Sequence, residues 1–268
     1  MSDAHVIIEK RDGIGRITLN RPESLNALSR GMFEAMRAAL ADFGADDTVR
    51  ALLLTGTGRG FCAGADLADP MMGTQLPVEE RAAACAATLD GLMNALIREL
   101  RAAPFPTVAA VNGIAAGGGV GLALTADMVI AARSASFAVT FTPRLGLVPD
   151  LGASWHLPRH LGRARALGMA LTGTPLTAGE AAAQGLIWKA AEDEALAAES
   201  EALAARLAAG PRLAQVEARR LVDGALERGL SAQLDAERDA QARMVVTDDV
   251  AEAMRAFAEK RKPAFRGR

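Results

Sequence analysis

The most ordered hydrophobic pattern in the chain runs from Val108 to Ala132, VAAVNGIAAGGGVGLALTADMVIAA. An apolar strand-like run, Thr107 to Val111, ends at Asn112-Gly113. Gly117, Gly118 and Gly119 follow, then a helix-like apolar segment that closes at Asp127 and a second apolar run, Met128 to Ala132. The pattern predicts strand, glycine turn, helix, strand. Glycine lets the backbone approach another group closely and take positive φ. The first amides of the following helix have no internal partners and attract negative charge. That charge is either a bound phosphate or an oxyanion formed during a reaction.

Around this stretch the pattern predicts an α/β core. His5 to Glu9 and Gly15 to Asn20 alternate and flank Asp12-Gly13, which reads as a hairpin. Ser29 caps a helix over Arg30 to Phe43, with Phe33, Met36 and Leu40 on one face. Arg50 to Leu54 reads as a strand, Thr55 to Gly60 as a loop, and Pro77 to Arg101 as one long helix. Ser136 to Thr140 and Arg144 to Val148 read as short strands or extended connectors. Pro149-Asp150 opens a helix, Thr177 caps a short one ending at Gly185, and Leu186 to Lys189 is a last strand. Helices follow over about 193–209, 211–227, 230–246 and 248–260. The chain therefore divides into a core of repeated strand-strand-helix units over 1–190 and a helical region over 191–268.

Composition narrows the function classes. The 268 residues suffice for one large domain or two small ones, and the net charge of −2 points to neither nucleic acid nor a membrane surface. Cys62 and Cys85 make no metal-spaced pair and no disulfide framework, as suits a reducing cytoplasm. No apolar run has the length and continuity of a membrane span, and the N-terminal residues carry no signal-peptide core.

Several local matches to known motifs fail their context. Gly58-Arg59-Gly60-Phe61-Cys62-Ala63 fits a dinucleotide fingerprint, but a loop with Pro70 arrives before any long helix. His156 and His160 have metal-ligand spacing, yet Pro158 lies between them and no Glu follows His156. Ser154 in Gly152-Ala153-Ser154-Trp155-His156 lacks the second glycine of a nucleophile elbow. Cys62 reads as a small buried hydrophobe. Two small-residue loops remain, Cys62 to Asp66 and Ala116 to Gly119. Each alone reads as tight packing; together they suggest two backbone donors aimed at one developing charge.

Asn26-Ala27-Leu28, the run Gly60 to Leu67 (GFCAGADL) and the stretch Pro106 to Asp127 together resemble the enoyl-CoA hydratase/isomerase (crotonase) superfamily. The likeness covers nearly the whole chain, through the ending Phe257 to Pro263. Leu145 to Gly152 (LGLVPDLG) and Leu157-Pro158-Arg159 through Arg165 are most similar to the branch of ring-1,2-epoxyphenylacetyl-CoA isomerases. The resemblance implies a spiral of ββα units with C-terminal helices that build trimers, often paired into hexamers. It implies an acyl-CoA substrate bound with a bent pantetheine. The amides of Ala65 and Gly118, with Gly117 beside them, would hold the thioester oxygen. Leu25, Ala27, Ala63, Asp66 and Leu67 would line the adenine end. Lys260 would reach the CoA phosphates, unless it is solvated surface charge. No cofactor beyond the CoA of the substrate is expected, and no metal, nucleic acid or membrane partner.

The chain departs from the family's hydratases where they use two glutamates. Gly121 stands at the first position and Thr142 falls near the second. Asp150 is the remaining acid. By itself Pro149-Asp150 before a helix reads as an N-cap; the family pattern, in which several isomerases and dehalogenases work with an aspartate here, favours catalysis. One carboxylate can take a proton from one carbon and return it to another, whereas adding water usually needs a second group. The expected function is an acyl-CoA isomerase working through an enolate. The alternatives are enoyl-CoA hydration, nucleophilic displacement by Asp150, and a non-catalytic acyl-CoA-binding subunit. Asp66 is expected to be structural despite its place in the binding loop. Arg144 and Trp155 are candidates for the lining of the acyl pocket, though the sequence does not fix which way they face. No tyrosine exists to act as an acid.

Overall fold

The expected hairpin forms, although burial does not alternate along its strands: the first is exposed after Val6 and the second is almost wholly buried. In the computed structural model, which describes residues 4–267, β1 (Val6–Arg11) pairs antiparallel with β2 (Ile14–Leu19). Asp12 and Gly13 at its tip both take positive φ, 55° and 76°, the backbone hand that matches the twist of a tight hairpin. The Ser29 hydroxyl accepts the Met32 amide and starts α1 (Arg30–Ala45). The helix buries Met32, Phe33, Met36, Leu40 and Phe43 along one stripe.

Successive strand pairs then feed two sheets. The pairs are β3 (Ala51–Gly56) with β4 (Gly60–Cys62), β5 (Thr107–Val111) with β6 (Ile114–Ala116), and β7 (Met128–Ala132) with β8 (Ser136–Ala138). The smaller sheet has the order β4-β6-β8-β9, with β9 (Leu176–Thr177) antiparallel to β8. The larger has the order β1-β2-β3-β5-β7-β10, and beyond the hairpin every pair is parallel, ending on β10 (Lys189–Ala191). Each strand pair thus gives one strand to each sheet and returns through helices. These are α2 (Val78–Thr88) and α3 (Asn94–Arg101), then α4 (Gly118–Thr125), then α5 (Phe141–Leu145) and α6 (Ala153–Thr172). Parallel strands covered on both faces read as continuous apolar runs, and all five residues of β5 are buried. This is the spiral of ββα units the sequence resemblance implies.

Buried amides lock the corners of the spiral to one another. The Asn112 side chain accepts the Gly56 N–H and donates to the Gly58 and Gly60 carbonyls. Asn26 donates to Thr57 and Gly60 from the opposite side. At the far end of the glycine turn, Asp127 accepts the Thr107 N–H at 2.8 Å while Thr107 Oγ1 accepts the Asp127 N–H at 2.9 Å. That exchange pins the start of β5 to the exit of α4, so the loop between them has both ends fixed.

The helical end follows the sequence pattern closely. A capping box of Thr177 and Glu180 opens α7 (Ala178–Ala183). After it come α8 (Leu196–Ala208), α9 (Arg212–Ala225), α10 (Leu230–Met244) and α11 (Asp248–Ala258). The buried Arg16 holds Glu201 at 2.6 Å and ties α8 to the hairpin. Among the described residues no helix is long and apolar enough to cross a membrane.

Three elements differ from expectation. The helix from Pro77 to Arg101 is α2 and α3 joined through a π-turn at Leu89–Met93. Arg144 to Val148 is not extended: Phe141 to Leu145 is helical and Gly146, at φ 66°, ends the helix. Pro143 does not prevent this, because a proline in the first turn lacks only an N–H that would have no partner there. The last strand is Lys189–Ala191 rather than Leu186 to Lys189, set by parallel pairing with Ile130, Ala131 and Ala132.

Asn26 is the corner most exposed to test. It is fully buried, sits at φ 56°, accepts the Arg21 N–H at 2.8 Å and donates to Thr57 and Gly60. Asn26→Ala strips these bonds and places alanine in a left-handed backbone, which should cost about 3 kcal/mol. A urea unfolding curve should show the midpoint lowered at constant slope; an unmoved midpoint contradicts the role.

Candidate active site

The first half of the site is a strand edge. Leu28 donates its N–H to the Gly64 carbonyl at 2.8 Å and accepts the Asp66 N–H at 2.9 Å, a parallel bridge centred on Ala65. Successive peptide groups of an extended chain point to opposite sides. The two neighbours of Ala65 face Leu28, so the Ala65 N–H faces away, toward the glycine turn. Gly64 itself has φ 92°, and a Cβ built on it would lie 3.0 Å from the Gly118 nitrogen and 3.1 Å from the Ala116 oxygen. The two loops therefore meet backbone to backbone, with no room for a side chain.

The second half is the start of α4. Gly117 adopts φ 52°, ψ −127°, a region open in practice to glycine alone, while its N–H donates to the Ala138 carbonyl of β8 at 2.9 Å. Gly118 follows as the first residue of the helix. Among the described residues, the N–H groups of Ala65 and Gly118 donate to no backbone or side-chain acceptor. Both residues border one cavity of ≈ 190 Å³. Polar donors in a cavity without partners are the geometry an oxyanion requires. Gly119 is excluded from carrying a side chain on the other side, since a Cβ there would meet the Cys62 carbonyl at 2.2 Å.

Asp150 lines the same cavity, and its Oδ1 lies 3.5 Å from where a Cβ on Gly118 would stand. Among the described residues it makes no ion pair. Burial pushes its carboxyl up to about 6, opposed only by its own amide. The N-cap reading of Asp150 is corrected by the structure. The cap of α6 is Gly152 at φ 80°, with no side-chain bond, and Leu151 before it takes φ 48°. These consecutive left-handed residues turn the chain between Asp150 and the helix. Its carboxylate is therefore not tied to helix amides, which would have made it a weaker base. A left-handed leucine costs roughly 1–2 kcal/mol, a strain held by burial of its side chain, 2% exposed.

The cavity has apolar walls and few polar groups. Leu67, Met72, Phe141, Leu145 and Leu147 form the walls; Thr140 and Arg144 join Asp150 as the polar side chains. Of these, Arg144, Leu67 and the motif residues Leu145 and Leu147 stand out from sequence; Met72, Thr140 and Phe141 carry no motif and are found only in three dimensions. Thr142 sits within α5 and does not line the cavity. At Gly121 the space for a side chain is filled: a Cβ would lie 2.2 Å from the Leu151 carbonyl.

Other expected site residues lie around the cavity rather than in it. Ala63 and Gly117 line it. Leu25, at φ 51°, accepts the Ala63 N–H at 2.9 Å and so backs the loop. The Arg21 guanidinium bonds both the Ala27 carbonyl at 2.8 Å and Asp66 at 2.9 Å. That contact holds the Asp66 carboxyl below its usual range, and its other oxygen accepts the Ala68 N–H. Asp66 braces the loop and does not face the cavity. Lys260 follows α11 on an exposed, left-handed turn and does not line the cavity.

Of the two acyl-pocket candidates, Arg144 lines this cavity and Trp155 does not. Trp155 lies between the guanidinium groups of Arg101 and Arg159, 4.6 Å and 3.9 Å from its ring centre, in a separate cavity. Ser154 is exposed. His156 is buried against His160, with ring centres 6.0 Å apart, and among the described residues no group of metal-ligating side chains gathers. The Cys62 thiol is buried and pushed up to about 12, which removes it as a nucleophile.

The raised carboxyl of Asp150 has a consequence for stability. Its folded value of about 6 exceeds the ordinary 3.8, so the folded state is penalised when the group ionises, from the ordinary value up through about 6. Asp150→Asn removes that penalty. It should stabilise the fold at pH 8 by about 1–2 kcal/mol after allowing for solvent screening, and by nearly nothing at pH 4. Thermal melts at the two pH values check this; equal melting shifts contradict it.

Comparison with known proteins matches this geometry to one family. The model of the enoyl-CoA hydratase/isomerase family matches residues 9–268. A 1,2-epoxyphenylacetyl-CoA isomerase of Escherichia coli is 43% identical over 256 residues, 96% of each chain. A protein of Rhodobacter capsulatus named "Probable enoyl-CoA hydratase" is 42% identical over 272 residues, 100% of each chain. The crystal structure of an enoyl-CoA hydratase from a Polaromonas species superposes with a TM-score of 0.89 at 32% identity, covering 97% of this chain and 99% of that one. The chain belongs to the enoyl-CoA hydratase/isomerase (crotonase) family.

Proposed function

We propose that this protein is an acyl-CoA isomerase that shifts a double bond, or rearranges a ring-derived CoA thioester, through an enolate. The observation that carries the proposal is one half-buried carboxylate, Asp150, beside two amides that, among the described residues, have no partner, with no second acid among the described residues that line the cavity. The name of the Escherichia coli relative agrees with it.

The thioester carbonyl accepts hydrogen bonds from the Ala65 and Gly118 N–H groups. Asp150 takes a proton from the acidified carbon, and the negative charge passes to the thioester oxygen. Each donor in such a hole is worth roughly 2.7–4 kcal/mol at the transition state. Asp150, now neutral, returns the proton to a different carbon of the conjugated system, and the carbonyl re-forms. A carboxyl near 6 suits both halves, since a base that is too acidic cannot take the proton and one too basic cannot return it. The apolar walls receive the acyl group, and Thr140 is the hydroxyl nearest the Gly117 turn.

Backbone along Leu25, Ala27 and Ala63 to Leu67 is proposed to carry the adenine end of CoA, and Lys260 its phosphates. The helical region 191–268 is proposed to build a homotrimer or hexamer. Exposed apolar residues on its helices, Val222, Leu226, Leu230 and Leu234, support that assignment.

Two outcomes follow. Asp150→Asn should lower kcat for isomerisation of a 3-enoyl-CoA about 10³-fold, while calorimetric affinity for the CoA ester stays within about threefold; full turnover in this variant ends the proposal, and release of a hydrated product by the wild type redirects it to hydration. In the wild type, kcat should fall as pH drops through about 6, because only the ionised Asp150 can act as base. A rate independent of pH between 5 and 8 would contradict that.

A further inference from the structure

The loop that carries Asp150 is held by an interaction the proposed chemistry does not itself require. Leu151 is buried, in a left-handed backbone, and wedged between two glycines of α4. Its Cδ1 would lie 2.5 Å from a Cβ on Gly118, and its carbonyl oxygen 2.2 Å from a Cβ on Gly121. The Leu151 side chain thus lies over the first turn of the helix and its peptide over the second. Outside the helix itself, Leu151 is the residue nearest to such a Cβ at both positions. The neighbouring Ala153 N–H donates to the Asp150 carbonyl at 2.9 Å and closes the turn.

From this we infer that Leu151 is the positioning residue for Asp150, clamped onto Gly118 and Gly121 so that the carboxylate is held beside Gly118, its Oδ1 3.5 Å from where a Cβ on that residue would stand. The inference rests on the proposed role of Asp150. It also changes the meaning of Gly121. That glycine is the place where the resemblance would put a glutamate, and it is bare because the loop of Asp150 lies on it. In this conformation a side chain at 121 and a carboxylate delivered by residue 150 exclude each other. The chain has therefore exchanged one acid for another, rather than lost one.

The clamp has two physical effects. It fixes the distance from base to hole, and it keeps the base partly out of water. Misplacing a reacting group by about 1 Å can cost roughly 100-fold in rate. Glycine at 151 would keep the left-handed backbone available while removing the anchor. Methionine would refill the volume with an unbranched side chain.

The test measures Leu151→Gly, Leu151→Met and Asp150→Asn in parallel, using conversion of trans-3-hexenoyl-CoA to the conjugated 2-enoyl-CoA as the readout. Expected for Leu151→Gly is a kcat lower by roughly 100-fold, a KM within about threefold, and an acidic limb of the pH profile moved to lower pH as Asp150 becomes hydrated. Leu151→Met should restore kcat to within about tenfold of wild type and return the limb. If Leu151→Gly does not fold, Gly121→Ala presses on the same carbonyl from the opposite side and should give the same split. Wild-type kcat and pH profile in a folded Leu151→Gly, with Asp150→Asn inactive, overturns the clamp alone. So does a lowered melting temperature with an unmoved limb, which is what a purely structural leucine gives. Full activity in Asp150→Asn overturns both the clamp and the reading beneath it.

Discussion

The close approach of two backbones, at Gly64 and Gly118, is the constraint on which the rest of this structure depends. A single methyl group at Gly64 would lie 3.0 Å from the Gly118 nitrogen. Two peptide groups can be brought that near only if both loops are held from behind, because an N–H left without a partner in a dry cavity costs free energy. The spiral supplies the support. Leu28 brackets Ala65, β8 takes the Gly117 amide, Asn26 and Asn112 join the corners, and Asp127 with Thr107 fixes the exit of α4. The family fold is in this sense a frame for two amides.

The acid sits outside that frame. Asp150 arrives on a loop whose backbone lies over the second turn of α4, and its own burial raises its carboxyl to about 6. The same burial that makes it a competent base near neutral pH penalises the folded state when it ionises. Strain at Leu151 and charge at Asp150 are therefore two costs at one place, and the buried leucine and the packing of α6 offset them. Such local cost is common where a protein holds a reacting group in a fixed place.

Much of the fold was legible because it is written in side-chain periodicity. The hairpin, α1, β5, β7 and the helices after Glu192 all follow from where the apolar residues fall, and Ser29 and Thr177 cap where hydroxyls before a helix are expected. The glycine turn and the loop at Ala65 were legible for a different reason: small residues mark where the backbone itself is used. The Asp150 loop was not. Leucine gives no sign that it will take φ 48°, so the chain from Pro149 read as the start of a helix and Asp150 as its cap. Trp155, which the sequence offered as a candidate for the acyl pocket, packs against two arginines instead. Thr140 and Met72 are ordinary residues made special only by the folding of their loops toward the hole.

The central claim is that Ala65 and Gly118 direct their N–H groups at one thioester oxygen. Isotope-edited infrared difference spectroscopy reads that directly, using an acyl-CoA labelled with carbon-13 at the thioester carbonyl and bound to the Asp150→Asn variant, which holds the complex without turnover. The account expects the carbonyl stretch to fall in frequency relative to the free ester, as strong hydrogen bonding to the oxygen weakens the double bond. A bound ester whose carbonyl band stays at its solution frequency would contradict it.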